Sequence, residues 1–536
     1  MLPVDDDAGP ADGLNRPSPT RTRRAPGLLS GALIVWLGIA ALVLGMVRVA
    51  VAQEPLTPAP ASAAQWASPG EIRDFVQRRA DELRLAGLAV VVVRDGDVYQ
   101  ESYLGTAGDG RPVTGETPFV LGSTSKQFTA LAVQRLIADG HLSLDTRLGD
   151  VFPEWPATEG TLGAVTIADL LGHTSGLSTT DGLGQWGWWP GRPTSIEANA
   201  EALASTRPDQ PPGAYAYSNS NYDLLGAVVE EVTGEPFERA MARLVYEPLR
   251  LDHTSATATP GAVDGVAAGH HPWFGLLTAP TPCPCTPGAV PSAFQVSTAG
   301  DLTLLVGAHL GTVTSTLPDG VLAAAREPLA TVSAYSQYGS GWVVRPLWEL
   351  RGEVGDPVDA THDGEALPVC VDHLGSTYRS QSYLLACPTL GFGIVAVTNT
   401  GAGLDTTRWA RFQTELLHLT LGTPAPPPSF NPVEGNAVLM ILGALLGQSL
   451  SVVPLLGRRR SVARSLIAVA GAAAAMALWW GYAPARLGCR VPIASLWAGA
   501  PELGLATLVS TALAAVVVAV VLTHRRRERR PPSTPA

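Results

Sequence analysis

The class this sequence predicts is an α+β domain with an antiparallel sheet flanked by helices, a mainly helical subregion and membrane-spanning helices outside it; three observations lead there. Strand-like segments stand at both ends of the central part of the chain, with helical patterns between them. Four apolar runs, each close to the roughly 20 residues that a bilayer core requires, lie outside that part. Charge divides the same way: residues outside 53–430 hold sixteen Arg against seven acids, whereas 53–430 hold twenty basic residues against forty acids. A length of 536 residues suffices for two or three folded units. An acidic centre excludes a nucleic-acid partner, because phosphate binding needs a basic face.

The apolar runs are Leu28–Val47, Ala437–Leu456, Ser465–Tyr482 and Leu503–Leu522. Basic clusters at Arg21, Arg23 and Arg24, at Arg458–Arg460 with Arg464, and at Arg525–Arg527 with Arg529 and Arg530 flank them. By the positive-inside bias all three clusters are cytoplasmic. The expected layout is therefore a multi-pass protein of the cell membrane with an extracytoplasmic domain: a cytoplasmic tail at 1–27, a first span at 28–47, spans at 437–456, 465–482 and 503–522, and a basic cytoplasmic tail at 523–536. The first run reads equally as an anchor or as a signal peptide ending at Ala50-Val51-Ala52. Pro-rich stretches within 53–67 and 422–436 read as stiff linkers.

Within 68–421, Ser68-Pro69-Gly70-Glu71 is a capping box with Pro in the first turn, predicting a helix to about Leu85. The apolar run Leu88–Val93, the pair Asp95-Gly96 and the β-prone Val98–Leu104 predict a hairpin. Further strands are expected at Ala366–Val371, Ser382–Ala386 and Gly393–Thr398. Helical spacing marks Phe128 to Ile137, Tyr222–Val232 and Phe237–Val245. The chain leaves its sheet, builds helices and returns, so a site is expected between the two parts. Cys283, Cys285, Cys370 and Cys387 lie in this domain and Cys489 beyond it; Cys370 and Cys387 flank a turn, and their spacing admits a disulfide without deciding it.

Thirty-five Arg accompany a single Lys, Lys126. A chain that uses Arg wherever a plain positive charge suffices retains an amine for chemistry that Arg cannot perform, since burial can neutralise Lys but not Arg. Ser123 precedes Lys126 by three residues in Gly122-Ser123-Thr124-Ser125-Lys126, at the start of a helix. That spacing sets amine and hydroxyl on one face, where a neutral Lys can take the serine proton.

With these residues in hand the sequence resembles the serine β-lactamase and penicillin-binding-protein superfamily, specifically the class C β-lactamase-related serine hydrolases. Supporting phrases follow in order: Leu170 to Leu177, Tyr217-Ser218-Asn219, Val296 to Ala299, Tyr338 to Trp342 and His373-Leu374-Gly375. The resemblance implies Ser123 as acylated nucleophile, Lys126 as its activating partner and Tyr217 as proton shuttle. It implies that Asn219 bonds substrate and Lys126, and that the amides of Ser123 and Ser376 form an oxyanion hole. No cofactor or metal is implied.

The third motif has His373 and Gly375 where most penicillin-recognising enzymes have KTG. A neutral imidazole attracts a substrate carboxylate weakly, which turns the expectation from β-lactams toward esters and peptides. Arg379, in Tyr378-Arg379, is a candidate anion fork in compensation. His173 reads as structural; His270-His271 with Cys283 and Cys285 fits no standard zinc spacing; Trp186, Trp188 and Trp189 read as an aromatic loop. The expected activity is an acyl-enzyme hydrolase for an ester, amide or peptide, cell-wall-derived ones included. Its alternatives are a D-amino-acid-specific peptidase or carboxypeptidase and a penicillin-binding sensor or scaffold without turnover. The oligomeric state is not legible.

Overall fold

Helix α1 (Pro69–Leu83) starts at the box anticipated for it: Ser68 Oγ accepts from Glu71 N, and the Glu71 carboxylate accepts from Ser68 N at 2.8 Å. It is the first helix of a computed structural model that describes residues 66–425 and 501–528, apart from 179–193, 209, 212, 260, 262, 283–284, 351–360, 363–364, 367 and 404–406. Strands β1 (Gly87–Arg94) and β2 (Asp97–Gly105) form the hairpin, with positive φ at both Asp95 and Gly96, as a two-residue primed turn requires. The chain then builds its helical half, including α2 (Ser125–Ala138), α3 (Asn219–Thr233) and α4 (Ala299–Leu310). It returns through β3 (Ala330–Thr331), β4 (Gln337–Tyr338), β5 (Val343–Pro346), β6 (Val369–Ser376), β7 (Gln381–Cys387), β8 (Phe392–Thr398) and α5 (Thr407–Thr420).

The eight strands form one antiparallel sheet in the order β2-β1-β8-β7-β6-β5-β4-β3. The first hairpin is thus closed by the last strand, Val91 opposite Val395. β1 is apolar along its length because both of its faces are covered. Leu88, Val90 and Val92 pack in one core with Ile72 and Val76 of α1 and Phe412 and Leu416 of α5; Ala89, Val91 and Val93 pack in the other with Phe128, Leu131 and Leu224 of the helical half. The strand expected at Ala366–Val371 lies further along, as β6, so the third motif is part of the strand itself. A disulfide joins Cys370 of β6 to Cys387 of β7.

The membrane layout is corrected. Among the described residues no helix is long and apolar enough to cross a membrane. The runs 28–47, 437–456 and 465–482 lie outside the described residues, as do Cys283, Cys489 and the Trp186, Trp188 and Trp189 loop. The fourth run falls in α6 (Pro501–Glu528), which begins with a buried carboxylate, Glu502, bonded to His271 and to the Phe274 amide. An apolar run read along the sequence takes no account of such tertiary attachment; here the helix starts as an element docked on the α+β domain.

Candidate active site

The short ladder of Phe119–Val120 with Val296–Ser297 delivers the chain to Gly122, which has φ +69° and opens a 3-10 turn, Gly122–Thr124, ahead of α2. Only glycine fits here: a Cβ on Gly122 would stand 2.4 Å from Ser376 N. Gly375 is constrained from the opposite side, since its Cβ would meet Leu121 O at 2.1 Å and Ser382 Oγ at 2.0 Å. The two glycines bring the turn bearing Ser123 against the end of β6, beside the Ser376 amide. From that turn one step of helix carries Lys126 back beneath Ser123, with Nζ 3.3 Å from Oγ.

Lys126 is fully buried and donates to Asn219 Oδ1 at 2.7 Å and to Ser292 O at 2.8 Å. A neutral amine has two N–H groups for those two oxygens and a lone pair left for Ser123. Burial pulls the amine down to about 7, against the attraction of Asp223. Tyr217 completes the group: its ring centroid lies 4.9 Å from Nζ. Burial raises the Tyr217 phenol well above its ordinary value, so it keeps its proton.

Asp223 and the Ser292 carbonyl were not singled out from the sequence. Asp223 follows Asn219 by four residues on α3 and so shares its helix face, a signal available in hindsight. It is buried and held above the usual carboxylate range by desolvation. A backbone carbonyl such as Ser292 O has no side-chain signature at all.

His373 is buried on β6. Its Nδ1 lies 2.7 Å from Leu374 O and therefore donates, leaving Nε2 to accept from Tyr338 Oη at 3.1 Å. Burial, with Lys126 nearby, pushes the imidazole down to about 3, so it is neutral at ordinary pH. The adjoining Asp372 anchors the strand through a two-point pair with Arg345, at 2.9 and 2.6 Å. His173, in left-handed conformation, accepts at Nδ1 from Ser218 N at 3.3 Å and contacts Asn221 Nδ2 at 2.9 Å. It thereby holds the segment after Tyr217, and its ring packs against Tyr217, Tyr222 and Tyr338.

Ser123, Lys126, Tyr217 and Asn219 thus converge, with Gly375 and Ser376 facing them across Gly122. Arg379 is buried in the turn after β6, its Nη1 bonded to Tyr378 O at 2.7 Å and 3.2 Å from His271 Nδ1. Among the described residues no group of three or more His, Cys, Asp and Glu is placed to hold a metal ion. A cavity of about 790 Å³ adjoins the segment leading to Ser123, with Val120, Val266, Ala267, Arg379 and Ser380 in its wall.

A family profile described as Beta-lactamase matches residues 72–417. Over 383 residues the chain is 31% identical to Penicillin-binding protein 4 of Amycolatopsis lactamdurans, covering 68% of this chain and 94% of that protein. Over 183 residues it is 37% identical to Esterase EstB of Burkholderia gladioli, covering 32% of this chain and 47% of that protein. The crystal structure of a class C beta lactamase from Rhodobacter sphaeroides superposes with a TM-score of 0.53 at 24% identity, over 66% of this chain and 99% of that one, a likeness of fold.

Proposed function

The chain belongs to the beta-lactamase family and is a serine hydrolase of the β-lactamase-related type; from that premise we propose that it works through an acyl-enzyme on Ser123. The observation that carries this reading is the buried Lys126 amine, 3.3 Å from Ser123 Oγ with its other two directions committed to fixed acceptors. Neutral Lys126 accepts the Ser123 proton as Oγ bonds to the substrate carbonyl carbon. The oxyanion of the tetrahedral intermediate faces the amides of Ser123 and Ser376, donors typically worth about 100-fold to 1000-fold each. Tyr217 passes the proton to the leaving alcohol or amine as the C–O or C–N bond breaks. Water then attacks the acyl carbonyl, its proton returns through the same groups, and Ser123 is released.

His373 supports a substrate preference. A neutral ring tied to Tyr338 and Leu374 offers a carboxylate no positive charge, so neutral esters are favoured over β-lactams and D-alanyl peptides, which carry one. The test incubates the full chain with p-nitrophenyl esters, a chromogenic cephalosporin and D-alanyl peptides, beside Ser123→Ala. Repeated turnover of the ester, lost in Ser123→Ala, is expected. Turnover that survives in Ser123→Ala refutes the nucleophile; a stable adduct without turnover refutes hydrolysis in favour of a sensor.

A further inference from the structure

Glu502, the second residue of α6, is fully buried although ionisable. Both of its oxygens are engaged: Oε1 accepts from Phe274 N at 2.8 Å and Oε2 lies 2.9 Å from His271 Nε2. His271 is itself fully buried, and its other nitrogen, Nδ1, lies 3.2 Å from Arg379 Nη1. A guanidinium can only donate, so Nδ1 accepts; the proton of the neutral ring is then on Nε2 and is donated to Glu502. One neutral imidazole therefore joins a buried cation to a buried anion, the compensation that charges removed from water require.

Arg379 stands three residues past Ser376, in the turn between β6 and β7. That turn is tightly closed: Thr377 N donates to Ser380 O at 2.9 Å, and Thr377 Oγ1 accepts from Arg379 N at 3.1 Å and Ser380 N at 2.9 Å. Ser380 Oγ in turn donates to Val120 O at 2.6 Å, on the segment that enters the Ser123 turn. The strand bearing His271 is pressed onto Arg379: His270 N donates to Arg379 O at 3.3 Å, and a Cβ on Gly269 would stand 2.4 Å from Arg379 Cβ. Contacts thus run without a break from α6 through Glu502, His271, Arg379 and Thr377 to Ser376.

We propose that Glu502, His271 and Arg379 form a positioning relay by which α6 holds the turn after β6, and with it the Ser376 amide, in register with Ser123. The proposal rests on the reading of that amide as an oxyanion donor. None of the three residues touches a reacting atom. They act through backbone placement, so their loss moves the rate of the chemical step more than the binding of substrate.

The test uses the full chain, a p-nitrophenyl ester as probe, and thermal unfolding to monitor the fold. Glu502→Ala is expected to lower kcat tenfold or more with KM within threefold, a part of the 100-fold to 1000-fold that outright removal of one such donor typically costs. Glu502→Gln, whose single oxygen can accept from only one of the two former donors, falls between. Arg379→Lys, which still donates to Tyr378 O and His271 Nδ1, retains more activity than Arg379→Ala. A folded Glu502→Ala protein with kcat within twofold of the parent overturns the relay. Should that variant not fold, the pair at Arg379 decides, and equal kcat in its two members overturns the relay. Ser123→Ala separates the two readings: if it still turns over, the acyl-enzyme reading fails; if it is dead while the Glu502 and Arg379 variants match the parent, only the relay fails.

Discussion

Lys126→Arg sets the role of the buried amine against that of a mere positive charge. The substitution supplies a permanent cation and keeps donors for Asn219 and Ser292, but it removes the lone pair 3.3 Å from Ser123 Oγ, because a guanidinium stays protonated in proteins. A positioned general base typically contributes about 100-fold to 10,000-fold, or about 2.7 to 5.4 kcal/mol at 1.36 kcal/mol per tenfold. The expected loss in kcat/KM falls in that range. Lys126→Met should lose as much and be less stable as well, since it strands the acceptors Asn219 Oδ1 and Ser292 O at about 1 to 3 kcal/mol each. The assay is kcat/KM for a p-nitrophenyl ester between about pH 5 and pH 9. Burial brings the amine down to about 7, so the parent should lose activity as pH falls below that point, where the amine is protonated and cannot accept. The reasoning is refuted if Lys126→Arg keeps more than a tenth of the parental kcat/KM, or if the parent's profile is flat across neutral pH.

Asp223→Asn removes the anion that favours the charged form of Lys126. The acidic limb of the pH profile should move to lower pH by about one to three units, and a limb that stays or moves upward counts against this. Arg345→Ala leaves the Asp372 carboxylate, 2% exposed, without its two-point partner. Denaturant unfolding should then show a loss of about 3 to 5 kcal/mol, and a loss below about 1 kcal/mol would show that the strand does not depend on the pair. Replacing both Cys370 and Cys387 by Ser opens a link spanning 17 residues, with an expected loss of about 3 kcal/mol in the same assay. Unchanged unfolding with and without a reductant in the parent would sink that figure.

The parts legible in the sequence are those fixed by local chemistry. Ser68 and Glu71 announce α1 because a capping box is made within four residues, and Asp95-Gly96 announces the hairpin because few other pairs tolerate that turn. The convergence of Ser123 and Lys126 is likewise a matter of one helical turn. What escaped depends on distant partners. The expected strand stops short of β6 because Asp372 and His373 break its apolar pattern, and their burial makes sense only once Arg345 and Tyr338 are brought against them. The fourth apolar run offers no hint that Glu502, the residue just before it, is held by His271. Asp223 looks like one more acidic residue on a helix until Lys126 and Ser292 are folded around it.

The closure of β1 by β8 bears on the order in which a growing chain can complete this fold. Synthesis runs from the N-terminus, so Ser123 and Lys126 leave the ribosome long before Asn219 and Ser292, which hold the amine, and longer still before β8. In the nascent chain that amine is in water, protonated like any other, and the serine beside it is inert. The sheet itself is closed only when its last strand has been made.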